Sequence, residues 1–189
     1  MTRRFVEGSE AIVEAAILAG CRFFAGYPMT PFTEVLDHMA EKMPLAGGIC
    51  VNAESELEAV GMAWGALATG ARAATGSVGQ GLSLMQESFS EITRAELPLV
   101  VINMARGQAD YYQSTRGGGH GDYYHFVLCP IDIHEAVEHI QLAFHLADAC
   151  ATRCRSMAII CWPTQQKLWN SRGSIMEICR KRTGLWMAR

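Results

Sequence analysis

Six consecutive residues, Leu99-Val100-Val101-Ile102-Asn103-Met104, restrict the fold of this chain more than any other stretch. The run is apolar on both faces that a strand presents, as in the middle of a parallel sheet covered by helices above and below. Helical and strand signals alternate along the rest of the sequence, which is the order such a sheet requires. Ser9 is placed to cap a helix with the apolar face Ile12, Ala15, Ala16 and Ala19, ending at Gly20. Phe23 to Gly26 reads as a strand, followed by the turn Gly26-Tyr27-Pro28-Met29-Thr30-Pro31, where Thr30 is a cap and Pro31 a first helical residue. That helix carries Val35, Leu36 and Met39, and Gly48 to Asn52 is the next strand. Ser55-Glu56-Leu57-Glu58 forms a capping box for a helix running to Gly70. Arg72 to Thr75 reads as strand, Gly76 to Gly81 as a glycine-rich turn and Leu82 to Arg94 as helix. Asp132 and Glu135 open a further helix carrying Val137, Ile140, Phe144 and Ala147, and Ser156 to Ile160 is a last strand. The expected fold class is α/β: one domain over residues 1–160, with a doubly wound, mostly parallel sheet and helices on both faces.

Composition excludes several function classes. The 189 residues carry a net charge of -3, and no Lys/Arg run interleaves with aromatic residues, so the footprint of a nucleic-acid binder is missing. Arg180, Lys181 and Arg182 are explained by a solvated tail. Two arginines begin the chain, but Glu7 and Glu10 precede any long apolar core, unlike a secretory signal. No stretch has the apolar length needed to span a membrane, and a cytosolic location is expected. The seven cysteines are odd in number and scattered in a chain too large to need disulfides, so they read as reduced, mostly buried small hydrophobes. No metal site is expected from this chain, because Cys150 and Cys154 have no partner pair at zinc or iron-sulfur spacing.

Three places could carry chemistry. Glu54, Glu56 and Glu58 cluster where the second strand meets the third helix, and acids there suit the helix dipole without any further role. Glu58 belongs to the capping box. Glu56 is not needed for it and stands at the carboxyl edge of the sheet, where ligands bind in open α/β folds. Arg106 directly follows the central strand and could grip a carboxylate bidentately, with Gly107 permitting close approach, or could be an ordinary surface arginine. Arg116-Gly117-Gly118-Gly119-His120-Gly121-Asp122-Tyr123 could cradle phosphate, act as a mobile lid or make a subunit contact. It matches neither the P-loop nor the dinucleotide fingerprint. His38, His125, His134, His139 and His145 read as structural residues on helix faces or edges. No nucleophile elbow, Ser-His-Asp order or metalloprotease motif is present. The residues thus describe an anion-friendly site assembled from Thr30, Glu56 and Arg106, without naming a reaction.

Six segments taken together identify a family. Gly8-Ser9-Glu10-Ala11, Gly26 to Pro31, Ala53-Glu54-Ser55-Glu56-Leu57-Glu58-Ala59, Gly81-Leu82-Ser83-Leu84-Met85-Gln86-Glu87, Glu96-Leu97-Pro98 and Gly117 to Tyr123 occur in this order. They resemble the N-terminal, pyrimidine-binding domain of the α subunit of 2-oxoacid:ferredoxin oxidoreductases, of the 2-oxoglutarate and branched-chain 2-oxoacid type. The resemblance covers residues 5–160. It implies thiamine diphosphate as cofactor, with Glu56 hydrogen-bonding the pyrimidine ring nitrogen to favour the imino tautomer. It implies Tyr27 and Pro28 as cofactor-binding residues, Thr30 as a substrate contact and Arg106 as the partner of the 2-oxoacid carboxylate. It also implies a β subunit holding the diphosphate and Mg²⁺, an iron-sulfur subunit, and electron and acyl transfer to ferredoxin and coenzyme A. The product would be an acyl-CoA and CO₂.

The chain departs from that family in two places. The segment from Arg106 to Gly117 is shorter than in some relatives, which carry a Gly-Pro-rich loop there. Residues 161–189 form an atypical tail, and the family's second α-subunit domain is not expected in this chain. Read from the last base of the Cys161 codon, the Trp162 and Trp169 codons fix Leu-Ala at the start and Glu at the end of a nine-residue window. The codons between permit Asp-Ala-Ala-Lys-Ala-Met, a family-like text, so the tail is read as a frameshift product. By itself the chain is not expected to turn over. The alternatives are a catalytically silent remnant that at most binds a partner subunit, and an independent small-ligand-binding domain.

Overall fold

The computed structural model describes residues 5–121, 123–154, 156–163 and 169–170. Its centre is a six-stranded sheet of β2 (Phe23–Gly26), β3 (Ile49–Asn52), β4 (Ala73–Ser77), β5 (Val100–Ala105), β6 (Tyr124–Leu128) and β7 (Ser156–Pro163), in the order β3-β2-β4-β5-β7-β6. Every pairing within it is parallel. A separate antiparallel pair joins β1 (Phe5–Val6) to β8 (Trp169–Asn170). The expected α/β class with a parallel, doubly wound sheet is therefore observed.

Alternation along β5 explains the two layers of helices. Val100, Ile102 and Met104 join one apolar cluster, with Ile12 and Ala16 of α1 (Gly8–Leu18), Phe32 and Met39 of α2 (Phe32–Lys42) and Val137 and Phe144 of α6 (Ile133–Cys154). Leu99, just before the strand, and Val101 join the other, with Val60 of α3 (Glu56–Ala68) and Leu82, Met85 and Phe89 of α4 (Gly79–Arg94). On the first side Lys42 donates to Glu10 and Glu14, each at 2.5 Å, and so ties α2 to α1. The ends of α1 and α3 are where glycine is required: Gly20 and Gly70 have φ of +91° and +87°.

β4 is buried along its whole length, yet it is built of Ala73-Ala74-Thr75-Gly76-Ser77. The small residues make room for the Phe32 ring, which lies over Gly26 and Gly76. A methyl at Gly76 would come within 2.5 Å of Phe32 and would overlap the Ile102 carbonyl; at Gly26 it would come within 2.8 Å of the same ring. Phe32 thereby anchors the start of α2, and with it the turn Tyr27–Pro31, onto the carboxyl ends of β2 and β4.

Several boundaries differ from expectation for identifiable reasons. α1 begins at Gly8 with Glu7 at its N-cap, so Ser9 is inside the first turn rather than capping it. α2 begins at Phe32 after Pro31, and Thr30 makes no side-chain cap. α4 begins inside the glycine-rich segment, at Gly79. α5 (Gln108–Arg116) was not foreseen, because Gln-Ala-Asp-Tyr-Tyr-Gln-Ser-Thr-Arg shows no apolar helical period. Nor was β6, whose residues are half-buried or exposed as befits an edge; His125 consequently sits on a strand, not on a helix. β7 continues to Pro163, past the expected end at Ile160. The tail at 164–168 and 171–189, and with it most of the proposed frameshift segment, lies outside the described residues.

Two glycine substitutions test this packing in opposite directions. Gly76→Ala should lower unfolding stability by about 1–3 kcal/mol or more in urea titrations. Gly61→Ala, on the exposed side of α3 with open space around it, should raise it by about 0.5–1 kcal/mol.

Candidate functional site

Between β2 and β4 the chain changes direction across the sheet: from β2 it runs outward to β3, then crosses back to β4. Such a switch point opens a crevice beyond the carboxyl ends of the strands. The register brings Gly26 level with Asn52 and Gly76, and Ser77 level with Asn103, so these ends share one rim. The first turns of α3 and α4 face it.

Glu56 is the first residue of α3. The Ser55 hydroxyl accepts from the Glu58 N–H at 3.3 Å, and the Glu58 carboxylate accepts from the Glu54 N–H at 2.9 Å, so the capping box is formed by its neighbours. Glu54 and Glu58 stay exposed. Glu56 turns inward instead and retains 3% exposure. Its Oε1 has no hydrogen-bond partner, and neither has the Oγ of Ser77, which is fully buried at the end of β4. Both atoms converge over Gly81 in the first turn of α4. A methyl there would lie 2.6 Å from Glu56 Oε1 and would overlap Ser77 Oγ. A buried carboxylate oxygen lacking a donor is costly unless a ligand supplies one. An N–H, or a protonated nitrogen, directed at Oε1 would satisfy it.

Arg106 lies just beyond β5 and bridges two elements. Its Nε donates to the Thr30 carbonyl at 2.9 Å, its Nη2 donates to the same oxygen, and its Nη1 reaches the Gln80 side-chain oxygen at 3.4 Å. Thr30 and Arg106 are thus brought together as the sequence suggested, but through the Thr30 backbone rather than its hydroxyl. Both remain exposed, as does Pro28, while Tyr27 is half-buried.

Asp110, which sequence reasoning missed, holds this corner in place. Its Oδ2 accepts from the Arg106 backbone N–H at 2.6 Å. Its Oδ1 rests so close to Gly79, the first residue of α4, that any side chain there would overlap it. A negative charge at that end of a helix is favourable. Asn103 Nδ2 donates to the Asp110 carbonyl at 3.3 Å and to Ser114 Oγ at 3.0 Å, binding α5 to the central strand. The available signal for Ser77, Gly79 and Gly81 was their spacing within Gly76 to Gly81, which as a turn alone carried no chemistry.

Three amides of the glycine-rich loop are engaged within the protein. The Tyr123 hydroxyl accepts from the Gly118 and Gly119 N–H groups at 3.1 and 2.6 Å and faces Gln86 Oε1 at 3.3 Å, while the His120 N–H donates to Ser90 Oγ at 3.3 Å. These amides are engaged with protein acceptors, which removes the donors a phosphate cradle would need, and the loop lies down on α4. His125 packs against Tyr123 and Phe89, with its Nδ1 3.1 Å from the Ser114 carbonyl, and burial lowers its pKa. Burial pushes the Cys21 thiol up to about 12. Cys21 and Cys161 are buried, Cys50 and Cys150 half-buried and Cys129 exposed; none of these five is in a disulfide. Among the described residues no group of three or more His, Cys, Asp or Glu could hold a metal ion, and no helix is long and apolar enough to cross a membrane.

Comparison with known proteins gives the geometry a chemical context. Residues 14–157 match the family described as "Pyruvate flavodoxin/ferredoxin oxidoreductase, thiamine diP-bdg". The chain belongs to this thiamine diphosphate-binding family. Ketoisovalerate oxidoreductase subunit VorB of Methanothermobacter marburgensis is 41% identical over 158 residues, covering 78% of this chain and 45% of that protein. 2-Oxoglutarate synthase subunit KorA of Methanothermobacter thermautotrophicus is 41% identical over 154 residues, covering 76% and 41%. The structure of 2-oxoglutarate:ferredoxin oxidoreductase from Magnetococcus marinus, with 2-oxoglutarate, coenzyme A and succinyl-CoA bound, superimposes with a TM-score of 0.78 at 29% identity. It covers 85% of this chain and 29% of that one. The chain spans less than half the length of each of these relatives, two of which are named as subunits.

The anchoring of the glycine loop is directly testable. Tyr123→Phe should cost about 1–2 kcal/mol of stability. Amide hydrogen exchange at Gly118 and Gly119 should accelerate, while exchange in β4 and β5 changes only with global stability.

Proposed function

We propose that the chain supplies the pyrimidine-binding half of a thiamine diphosphate site in a 2-oxoacid:ferredoxin oxidoreductase, converting a 2-oxoacid to acyl-CoA and CO₂ with electrons passed to ferredoxin. The observation that carries this reading is the buried Glu56 carboxylate, whose Oε1 has no partner, at the switch point of a thiamine diphosphate-binding family domain. The donor chemistry of the residues present fits the pyrimidine edge: the buried Glu56 Oε1 has no hydrogen-bond partner and needs a donor. Thiamine diphosphate, once bound, supplies a carbon nucleophile for the 2-oxo carbon.

In this reading Glu56 holds a proton at the ring nitrogen and so sets the tautomer of the aminopyrimidine. Its burial excludes water from that contact, which strengthens the hydrogen bond. Tyr27 and Pro28 form the wall beside the ring. Thr30 orients the substrate, and Arg106 attracts its carboxylate with the guanidinium edge not spent on the Thr30 carbonyl. Asp110 fixes Arg106 by its backbone, so the cation is positioned before substrate arrives. A partner β subunit holds the diphosphate and Mg²⁺, a further subunit holds iron-sulfur clusters, and the assembly works in the cytoplasm.

The test is Glu56→Gln in the chain assembled with a β-type partner subunit. The carboxamide keeps size and hydrogen bonding but cannot hold the proton. 2-Oxoacid-dependent dye reduction should fall by roughly 100-fold or more. Decarboxylation at the wild-type rate would contradict the assignment.

A further inference from the structure

We infer that Gln80 is a positioning residue for the substrate: it fixes the plane of the Arg106 guanidinium, so that the cation meets the carboxylate of a 2-oxoacid in one orientation. This deepens the reading proposed above and rests on it. Gln80 lies outside the segments that carry the family resemblance. It is the second residue of α4, flanked by Gly79, which lies against Asp110, and by Gly81, which lies against Glu56. Its side chain is exposed, and its Oε1 accepts from Arg106 Nη1 at 3.4 Å. Arg106 Nε and Nη2 both donate to the Thr30 carbonyl oxygen. Two bonds that converge on one atom leave the guanidinium able to swing about it. The Asp110 contact holds only the backbone end of Arg106. A bond at Nη1, away from that pivot, stops the swing. Gln80 supplies it from a helix whose Leu82, Met85 and Phe89 are fixed in the core.

The character of these acceptors matters as much as their places. Both groups that hold the guanidinium, the Thr30 carbonyl and the Gln80 amide, are neutral. The nearby carboxylate, Asp110, accepts from the Arg106 backbone instead, and none of the ion pairs among the described residues involves Arg106. The guanidinium is therefore held without being neutralised. A guanidinium has five N–H donors, so these contacts leave one on each Nη nitrogen, a number that suits the two oxygens of a carboxylate. By taking one of the two Nη1 protons, Gln80 decides how the remaining donors are presented. A glutamate in its place would hold the same nitrogen but compensate its charge, and would compete with an anionic substrate.

Steady-state kinetics of 2-oxoacid-dependent dye reduction in the complex with the β-type partner test this. Gln80→Glu should raise KM for the 2-oxoacid by roughly five- to tenfold and Gln80→Ala by roughly two- to fivefold, with kcat changed less than about twofold. Each substitution is then repeated on an Arg106→Ala background, where neither should move kcat/KM by more than about twofold, because the group through which Gln80 acts is gone. The melting temperature of the full chain should stay within about 2 °C of wild type in Gln80→Ala, as suits an exposed side chain. An unchanged KM in Gln80→Glu, or equal losses with and without Arg106, overturns the inference while leaving the Glu56 reading intact. If Arg106→Ala itself leaves KM unchanged, the carboxylate role of Arg106 falls and the inference with it. A wild-type complex that shows no 2-oxoacid-dependent reduction overturns the proposed function and the inference together.

Discussion

The close approach of the first turn of α4 to the end of β4 is the constraint on which the site depends. Gly79 and Gly81 have no side chains at the two points where Asp110, on one side, and Glu56 with Ser77, on the other, press against the helix. A methyl at either glycine would displace a carboxylate. Because α4 packs Leu82, Met85 and Phe89 into the core, its first turn cannot retreat without disturbing one whole side of the sheet. The helix therefore acts as a rigid spacer that separates two carboxylates and fixes what each can do.

Those carboxylates divide the work. Asp110 is satisfied within the protein, accepting from the Arg106 backbone at 2.6 Å and resting at the helix N-terminus, so it holds architecture. Glu56 is buried with its Oε1 left without a partner, so that oxygen has a hydrogen bond to accept from a ligand. The same contrast runs through the loops. The tyrosine-pinned glycine loop has its Gly118, Gly119 and His120 amides engaged in packing, whereas the Gly26–Pro31 turn is held at its far end by Phe32 and by Arg106, with Pro28 and Thr30 exposed.

The parallel sheet was legible because Val100 to Met104 is apolar on both faces and because Ser55-Glu56-Leu57-Glu58 and Asp132 with Glu135 announce their helices; both caps form. α5 and β6 were not, since the first is polar throughout and the second is a half-buried edge, and neither carries a period that burial would impose. Glu56 and Arg106 stood out by type and place. Ser77 and Asp110 did not, because a serine in a glycine-rich turn and an aspartate in a polar stretch have ordinary local explanations. Their places arise from β4, α4 and α5 meeting in space, which no local pattern in the sequence encodes. Thr30 shows the limit from the other side: it meets Arg106 through a backbone carbonyl that every residue possesses, not through its hydroxyl.

A crystal structure of the chain assembled with its β-type partner and thiamine diphosphate would test the central claim most directly. The account predicts a pyrimidine ring nitrogen about 2.6–3.1 Å from Glu56 Oε1. A cofactor bound at full occupancy with Glu56 still unengaged would contradict it.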